Sequence, residues 1–151
     1  MIRRAGPEDV DAIAGLYERS YATLDFLPVL HTLDEHRNWF AHVVAEREVF
    51  AWEEDGAVLG FAAIGDDMLD YLYLEPSATG RGIGSALLEH VKARRPEGFR
   101  FWVFQQNEAA RRFYEARGCT VLELTDGSGN EERTPDALYQ WLPAAPGSSE
   151  R

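Results

Sequence analysis

The chain has 151 residues, 45% hydrophobic and 12% aromatic, with 26 acidic side chains against 15 Lys plus Arg and a formal net charge of -11. That length buries one substantial core and leaves little for a second domain. The acidic balance, with Lys92 the sole lysine, argues against nucleic acid, because neutralising phosphates needs clustered Lys and Arg. No apolar run reaches the length of a membrane span, and Met1-Ile2-Arg3-Arg4 lacks the apolar stretch of a secretion signal. The solitary Cys119 excludes an internal disulfide. A soluble, cytoplasmic protein without a membrane partner is expected.

In chain order, Ile2-Arg3-Arg4 reads as a short first strand. Gly6-Pro7-Glu8-Asp9 opens a helix, since proline fits its first turn and carboxylates fit its dipole; Val10, Ile13, Ala14 and Tyr17 then recur at helical spacing. A looser stretch through Phe26-Leu27-Pro28 leads to Thr32-Leu33-Asp34-Glu35, a capping box before a helix carrying Trp39, Phe40 and Val43. Val49 to Glu53 and Val58 to Ile64 read as a hairpin turned by Asp55-Gly56. A fourth strand spans Met68 to Glu75, followed by a glycine loop and a helix through Lys92. Phe99 to Phe104, a helix from Asn107, Thr120 to Leu124 and Ala137 to Leu142 complete the order. The order β-α-α-β-β-β-α-β-α-β-β predicts a mixed, mostly antiparallel sheet of about seven strands with helices on both faces, an α/β protein of the α+β kind. One domain over residues 1–143 and a disordered tail over 144–151 are expected.

Two segments carry chemistry. In the first, Tyr73-Leu74-Glu75-Pro76 runs into Thr79-Gly80-Arg81-Gly82-Ile83-Gly84-Ser85, a strand that breaks into a glycine loop and then a helix. Alternate glycines let the backbone turn sharply and approach a ligand, while unpaired N–H groups and the positive end of the helix attract an anion. The spacing G-x-G-x-G fits neither a Walker loop nor a dinucleotide fingerprint, and such a run also marks an ordinary tight turn. The second segment, Asn107 to Cys119, follows the apolar run Phe101-Trp102-Val103-Phe104. Asn107 is placed to cap a helix and Gly118 to leave it in the left-handed conformation. Asn107, Arg111 and Tyr114 fall at i, i+4 and i+7 on one face; taken alone, Asn107 is an ordinary cap and Tyr114 an ordinary core residue.

Together the segments resemble the GCN5-related N-acetyltransferase (GNAT) family. Its phosphate-loop pattern [RQ]-x-x-G-x-[GA] matches Thr79 to Gly84 except at Thr79, where Arg or Gln is usual. Its N-x-x-A-x-x-[FL]-Y-x-x-x-G-[FC] pattern matches Asn107 to Cys119. The resemblance implies splayed fourth and fifth strands, with acetyl-CoA's pantetheine arm pairing along the exposed edge at Leu72, Tyr73 and Leu74. It implies a pyrophosphate held by Thr79, Gly80, Arg81, Gly82, Ile83, Gly84 and Ser85, with Asn107 and Arg111 also on the cofactor. The reaction implied is direct acetyl transfer to a primary amine of a small molecule or peptide. Tyr114, a phenol protonated at neutral pH, would protonate the departing thiolate, and a backbone N–H near Leu74 would polarise the thioester carbonyl.

The base that deprotonates the amine stays open among Asp70 and Glu75 on the fourth strand and His31 or His36. Each has a plainer role as a surface or strand-end residue. Cys119 lacks a paired base and reads as core. The four histidines form no metal-ligand spacing, so no metal is expected. Seven arginines (81, 94, 95, 100, 111, 112 and 117) crowd the central part of the chain, and the acidic remainder favours a cationic acceptor through its field or simply aids solubility. Residues Thr125 to Arg133 read as a mobile loop or as a lid over such an acceptor. The aromatic strand Leu138-Tyr139-Gln140-Trp141-Leu142 either joins a homodimer sheet or finishes the core. The alternatives in function are a non-catalytic acyl-CoA sensor and a protein N-terminal acetyltransferase.

Overall fold

A computed structural model describes residues 1–144, so residues 145–151 of the expected tail lie outside the described residues. The described residues form two compact units, Met1–Val91 and the segment from Lys92 onward.

The first unit begins with β1 (Ile2–Arg4) and a tight 3-10 turn at Pro7–Asp9 that feeds α1 (Val10–Ala22). The expected helix start is thus a tighter turn. Asp9 takes the Gly6 N–H at 2.9 Å and binds Arg3 through both carboxylate oxygens at 2.8 and 2.9 Å. Helix α2 (Leu33–Glu46) starts from the expected capping box, with the Glu35 N–H on the Thr32 hydroxyl at 3.2 Å and the Thr32 N–H on the Glu35 carboxylate at 2.8 Å. Strands β2 (Glu48–Glu54) and β3 (Ala57–Ile64) form the hairpin, with Asp55 at φ 51° and Gly56 at φ 80° in the two-residue turn. Strand β4 (Leu69–Leu74) follows, then a 3-10 turn at Pro76–Ala78 and α3 (Ile83–Arg94).

This sheet has the order β1-β2-β3-β4, antiparallel throughout, which leaves β4 at an edge. Strand alternation sends Val49, Ala51, Phe61 and Ala63 to one face, where they pack with Ile13, Ala14 and Leu16 of α1 and Phe40 and Val43 of α2. On the other face Phe50 meets His90 of α3 with ring centroids 4.4 Å apart. A Cβ on Gly60 would meet the side chains of Leu74, Leu87 and Ile83 at 2.7 to 3.3 Å. The glycine in β3 therefore admits α3 to the sheet, and this unit carries helices on both faces.

The second unit contains β5 (Phe99–Phe104), α4 (Glu108–Glu115), β6 (Cys119–Leu124) and β7 (Asp136–Trp141). Its antiparallel order is β5-β7-β6. Phe99, Phe101, Val103, Cys119, Ala137 and Tyr139 are buried. The seven expected strands are all present, divided between a ladder of four and a ladder of three. The C-terminal strand finishes a core: β7 is flanked on both sides, with Ala137 and Tyr139 fully buried, so the edges of this ladder belong to β5 and β6.

Candidate active site

In the first unit the site is built on β4. The Glu75 N–H donates to the Leu59 carbonyl at 2.8 Å, in line with the register Gly60 to Leu74, Phe61 to Tyr73 and Ala62 to Leu72. Antiparallel residues alternate between pairs that exchange hydrogen bonds and pairs that do not. Tyr71 and Tyr73 thus bond to β3, while the N–H and C=O of Leu72 and Leu74 turn away from it, toward the open edge. An exposed row of this kind is a template for an added extended chain. Asp70 is passed over in the register, where Tyr71 faces Ala63 and Leu69 faces Ile64, so a bulge sits at the start of this edge.

Beyond β4 the loop turns on Gly80 (φ 79°) and Gly82 (φ 86°). A Cβ on either would meet nothing within 4 Å, so conformation rather than space selects glycine there. The first turn of α3 is closed by the Ala86 N–H on the Gly82 carbonyl at 3.0 Å. The amides of Gly82, Ile83 and Gly84 precede that bond and have no partner within the helix. The Thr79 hydroxyl donates to the Pro76 carbonyl at 3.2 Å, and Arg81 holds Glu54 at 2.5 Å. In place of a long cationic side chain, the loop opens on a residue that braces its own backbone.

The carboxylates proposed as bases are both held by arginine. Arg47 donates to Asp70 at 3.0 Å, and Arg19 of α1 grips both oxygens of Glu75 at 2.7 and 2.8 Å. The Glu75 side chain is 17% exposed against 30% for Asp70. Beside them Tyr17 gathers the rings of Tyr21, His36, Phe40, Tyr71 and Tyr73 at centroid distances of 4.9 to 5.9 Å. The Trp39 indole N–H reaches the Tyr71 hydroxyl at 2.7 Å. Burial holds the His36 imidazole below the ordinary histidine value, and Glu18 opposes that shift. The sequence reading missed this aromatic wall; its signals were Tyr17 and Tyr21 one helical turn apart and Tyr71 and Tyr73 on one face of a strand.

In the second unit Asn107 caps α4, its side-chain oxygen accepting the Ala110 N–H at 3.2 Å, and Gly118 leaves the helix at φ 87°. Tyr114 is 8% exposed, with its ring 4.3 Å from Phe101 and 6.4 Å from Tyr139. Arg111 donates to the Tyr139 hydroxyl at 2.9 Å, and that hydroxyl donates to Glu115 at 2.5 Å. Arg111 and Tyr114 therefore share the face that meets Tyr139, as their spacing requires. The loop from Thr125 to Arg133 is braced throughout. Asp126 accepts the Ser128 N–H at 2.9 Å, and Asn130 exchanges hydrogen bonds with Thr134 at 2.7 and 3.1 Å. Among the described residues no cluster of three His, Cys, Asp or Glu is placed to hold a metal, and no helix is long and apolar enough to cross a membrane.

A family model described as Acetyltransferase (GNAT) family matches residues 11–119. The peptidyl-lysine N-acetyltransferase YiaC of Escherichia coli is 33% identical over 99 residues, covering 65% of this chain and 66% of that protein. The peptidyl-lysine N-acetyltransferase YjaB of the same organism is 31% identical over 126 residues, 80% of this chain and 82% of YjaB. The solution structure of apo YjaB superposes with a TM-score of 0.74 at 27% identity, over 95% of this chain and 98% of that one. PaiA N-acetyltransferase from Thermoplasma acidophilum, solved in complex with coenzyme A, shares the fold at a TM-score of 0.71 and 21% identity, over 94% and 98% of the two chains.

Proposed function

The chain belongs to the acetyltransferase (GNAT) family and is an acetyl-CoA-dependent N-acetyltransferase, and from that premise we propose that its acceptor is a primary alkylamine, foremost a lysine side chain on a peptide. Support for the acceptor comes from the two relatives named as peptidyl-lysine acetyltransferases. The observation that carries the placement of the co-substrate is the open edge of β4, where Leu72 and Leu74 face away from β3, running directly into the loop of Gly80 and Gly82.

In this reading the edge of β4 pairs with the pantetheine arm through Leu72 and Leu74, while Tyr73 between them stays bonded to β3. The amides of Thr79, Gly80, Arg81, Gly82, Ile83, Gly84 and Ser85, with the dipole of α3 behind them, hold the pyrophosphate. Arg81 adds charge by exchanging Glu54 for phosphate, and Asn107 and Arg111 of α4 complete the cofactor side. Acetyl-CoA supplies a thioester carbonyl open to attack by a neutral amine. The Leu74 N–H donates to the carbonyl oxygen as it gains charge. Tyr114 donates its phenolic proton to the departing sulfur.

Glu75 is the better-placed base. It adjoins Leu74, whereas Asp70 lies four residues upstream, about 13 Å away along an extended strand. Arg19 orients the Glu75 carboxylate, which takes the amine's proton directly or through water. The reading covers residues 1–143 as one catalytic domain and places the protein in the cytoplasm, where Cys119 stays reduced. Thiol release with an N-blocked peptide bearing one lysine tests the acceptor. Turnover lost on replacing that lysine by glutamine supports the reading, whereas turnover only with an unblocked peptide N-terminus contradicts it.

A further inference from the structure

Tyr139 is fully buried on β7, the central strand of the second ladder, with its ring stacked on Phe101 at 5.7 Å and an interplanar angle of 14°. A phenylalanine ring would fill the same space, and a buried hydroxyl is costly unless it is hydrogen-bonded. The Tyr139 hydroxyl directs both of its bonds to α4, accepting from the Arg111 guanidinium at 2.9 Å and donating to the Glu115 carboxylate at 2.5 Å. A guanidinium only donates and a carboxylate only accepts, so the direction of both bonds is fixed. Burial, reinforced by Glu115 and opposed by Arg111, raises the phenol above its ordinary value, which keeps the donated proton on Tyr139 at neutral pH.

Arg111 and Glu115 lie one helical turn apart, and Tyr114 sits between them on that turn. Helix α4 is eight residues long, too short to hold its shape alone. The Asn107 cap secures its first turn. Two bonds from one immobile hydroxyl to points a turn apart also fix the rotation of the helix about its own axis, which a single bond would leave free. That rotation decides where the Tyr114 phenol points, and the Tyr114 ring lies 4.3 Å from Phe101 and 6.4 Å from Tyr139. Every contact in this network lies within the second unit.

We infer that Tyr139 is a positioning residue for the reaction: its hydroxyl, clamped between Arg111 and Glu115, holds the turn of α4 that presents the Tyr114 phenol. The inference rests on the reading of Tyr114 as the acid. Proton transfer to the sulfur matters only while the C–S bond breaks, and a displacement of about 1 Å in the reacting geometry costs up to about a hundredfold in rate. Loss of the clamp therefore acts on kcat, through Tyr114, and leaves ground-state binding in place.

The test is a double-mutant cycle on thiol release, using a peptide with both a free N-terminus and one lysine so that either amine can serve as acceptor. Tyr139→Phe should lower kcat about tenfold with the peptide KM unchanged within about twofold. In a Tyr114→Phe background the same substitution should change kcat by less than about twofold, because the group it positions is gone. Glu115→Ala, on an exposed position of the helix, should repeat the loss. Glu115→Gln, whose amide oxygen still accepts from the Tyr139 hydroxyl, should bring kcat back to within about threefold of wild type. Equal losses from Tyr139→Phe in the two backgrounds would assign Tyr139 a purely structural role and overturn the inference, as would full turnover in Tyr139→Phe and Glu115→Ala. Full turnover in Tyr114→Phe would instead remove the acid reading, and the inference with it, so the Tyr114 variant alone tells the two failures apart.

Discussion

Cys119 opens β6 at 2% exposure, and burial pushes its thiol up to about 11, only partly countered by the Lys92 ammonium. A thiol so far from ionisation at neutral pH is a poor nucleophile, which separates it from acetyl transfer. Iodoacetamide at neutral pH should leave Cys119 unmodified in the folded protein and label it in urea, and Cys119→Ala should retain thiol release; rapid labelling of the folded protein would contradict this. Glu75 and Asp70 differ in the opposite sense. Glu75→Gln should lower kcat/KM about a hundredfold, while Asp70→Asn should change it by no more than about twofold. Both carboxylates were visible in the sequence as candidates. Their partners Arg19 and Arg47 were not, because they lie 56 and 23 residues away and only the fold joins them.

Elements set by local chemistry were legible. The Thr32 capping box, the Asp55-Gly56 turn and the Asn107 cap each depend on residues within one turn of the chain, and each stands where the spacing put it. The insertion of β7 between β5 and β6 was not legible, since nothing local distinguishes a central strand from an edge strand of the same apolarity. The loop after β6 looked mobile because it is polar and glycine-rich, yet its side chains satisfy its own backbone through Asp126, Asn130 and Thr134. Two glycines test this scale. Gly82→Ala, forced into φ 86°, should cost about 1–2 kcal/mol of loop geometry and weaken acetyl-CoA binding roughly tenfold by calorimetry, with little change in Tm. Gly127→Ala would place its Cβ 2.3 Å from the Thr134 carbonyl carbon at φ 85°, so it should lower Tm by roughly 4 °C or more while leaving that affinity unchanged.

Across the whole molecule, stability should respond to pH through two groups of opposite chemistry, Asp9, which is buried, and His36, which is half-buried. Arg3, aided by the Gly6 N–H, holds the Asp9 carboxyl below its ordinary value. The stabilisation it gives is complete above about pH 4 and is lost as pH falls through the folded value. Asp9→Asn should cost about 2 kcal/mol at neutral pH. His36 acts higher: the unfolded chain takes up a proton near pH 6.5 that burial denies the folded one, so stability should decline as pH falls below about 6.5. Urea midpoints measured against pH should show that decline in the wild type and lose it in His36→Gln. An unchanged slope in the variant would assign the decline to other groups.

The account's central claim is that this chain binds acetyl-CoA and that Tyr114 protonates the departing thiolate during transfer to an amine. Calorimetric titration of acetyl-CoA into wild type and Tyr114→Phe, paired with thiol release on a lysine peptide, tests it most directly. The account predicts equal acetyl-CoA affinity for the two proteins and a loss of turnover of about a hundredfold in the variant. Equal turnover in both, or no binding of acetyl-CoA by the wild type, would contradict it.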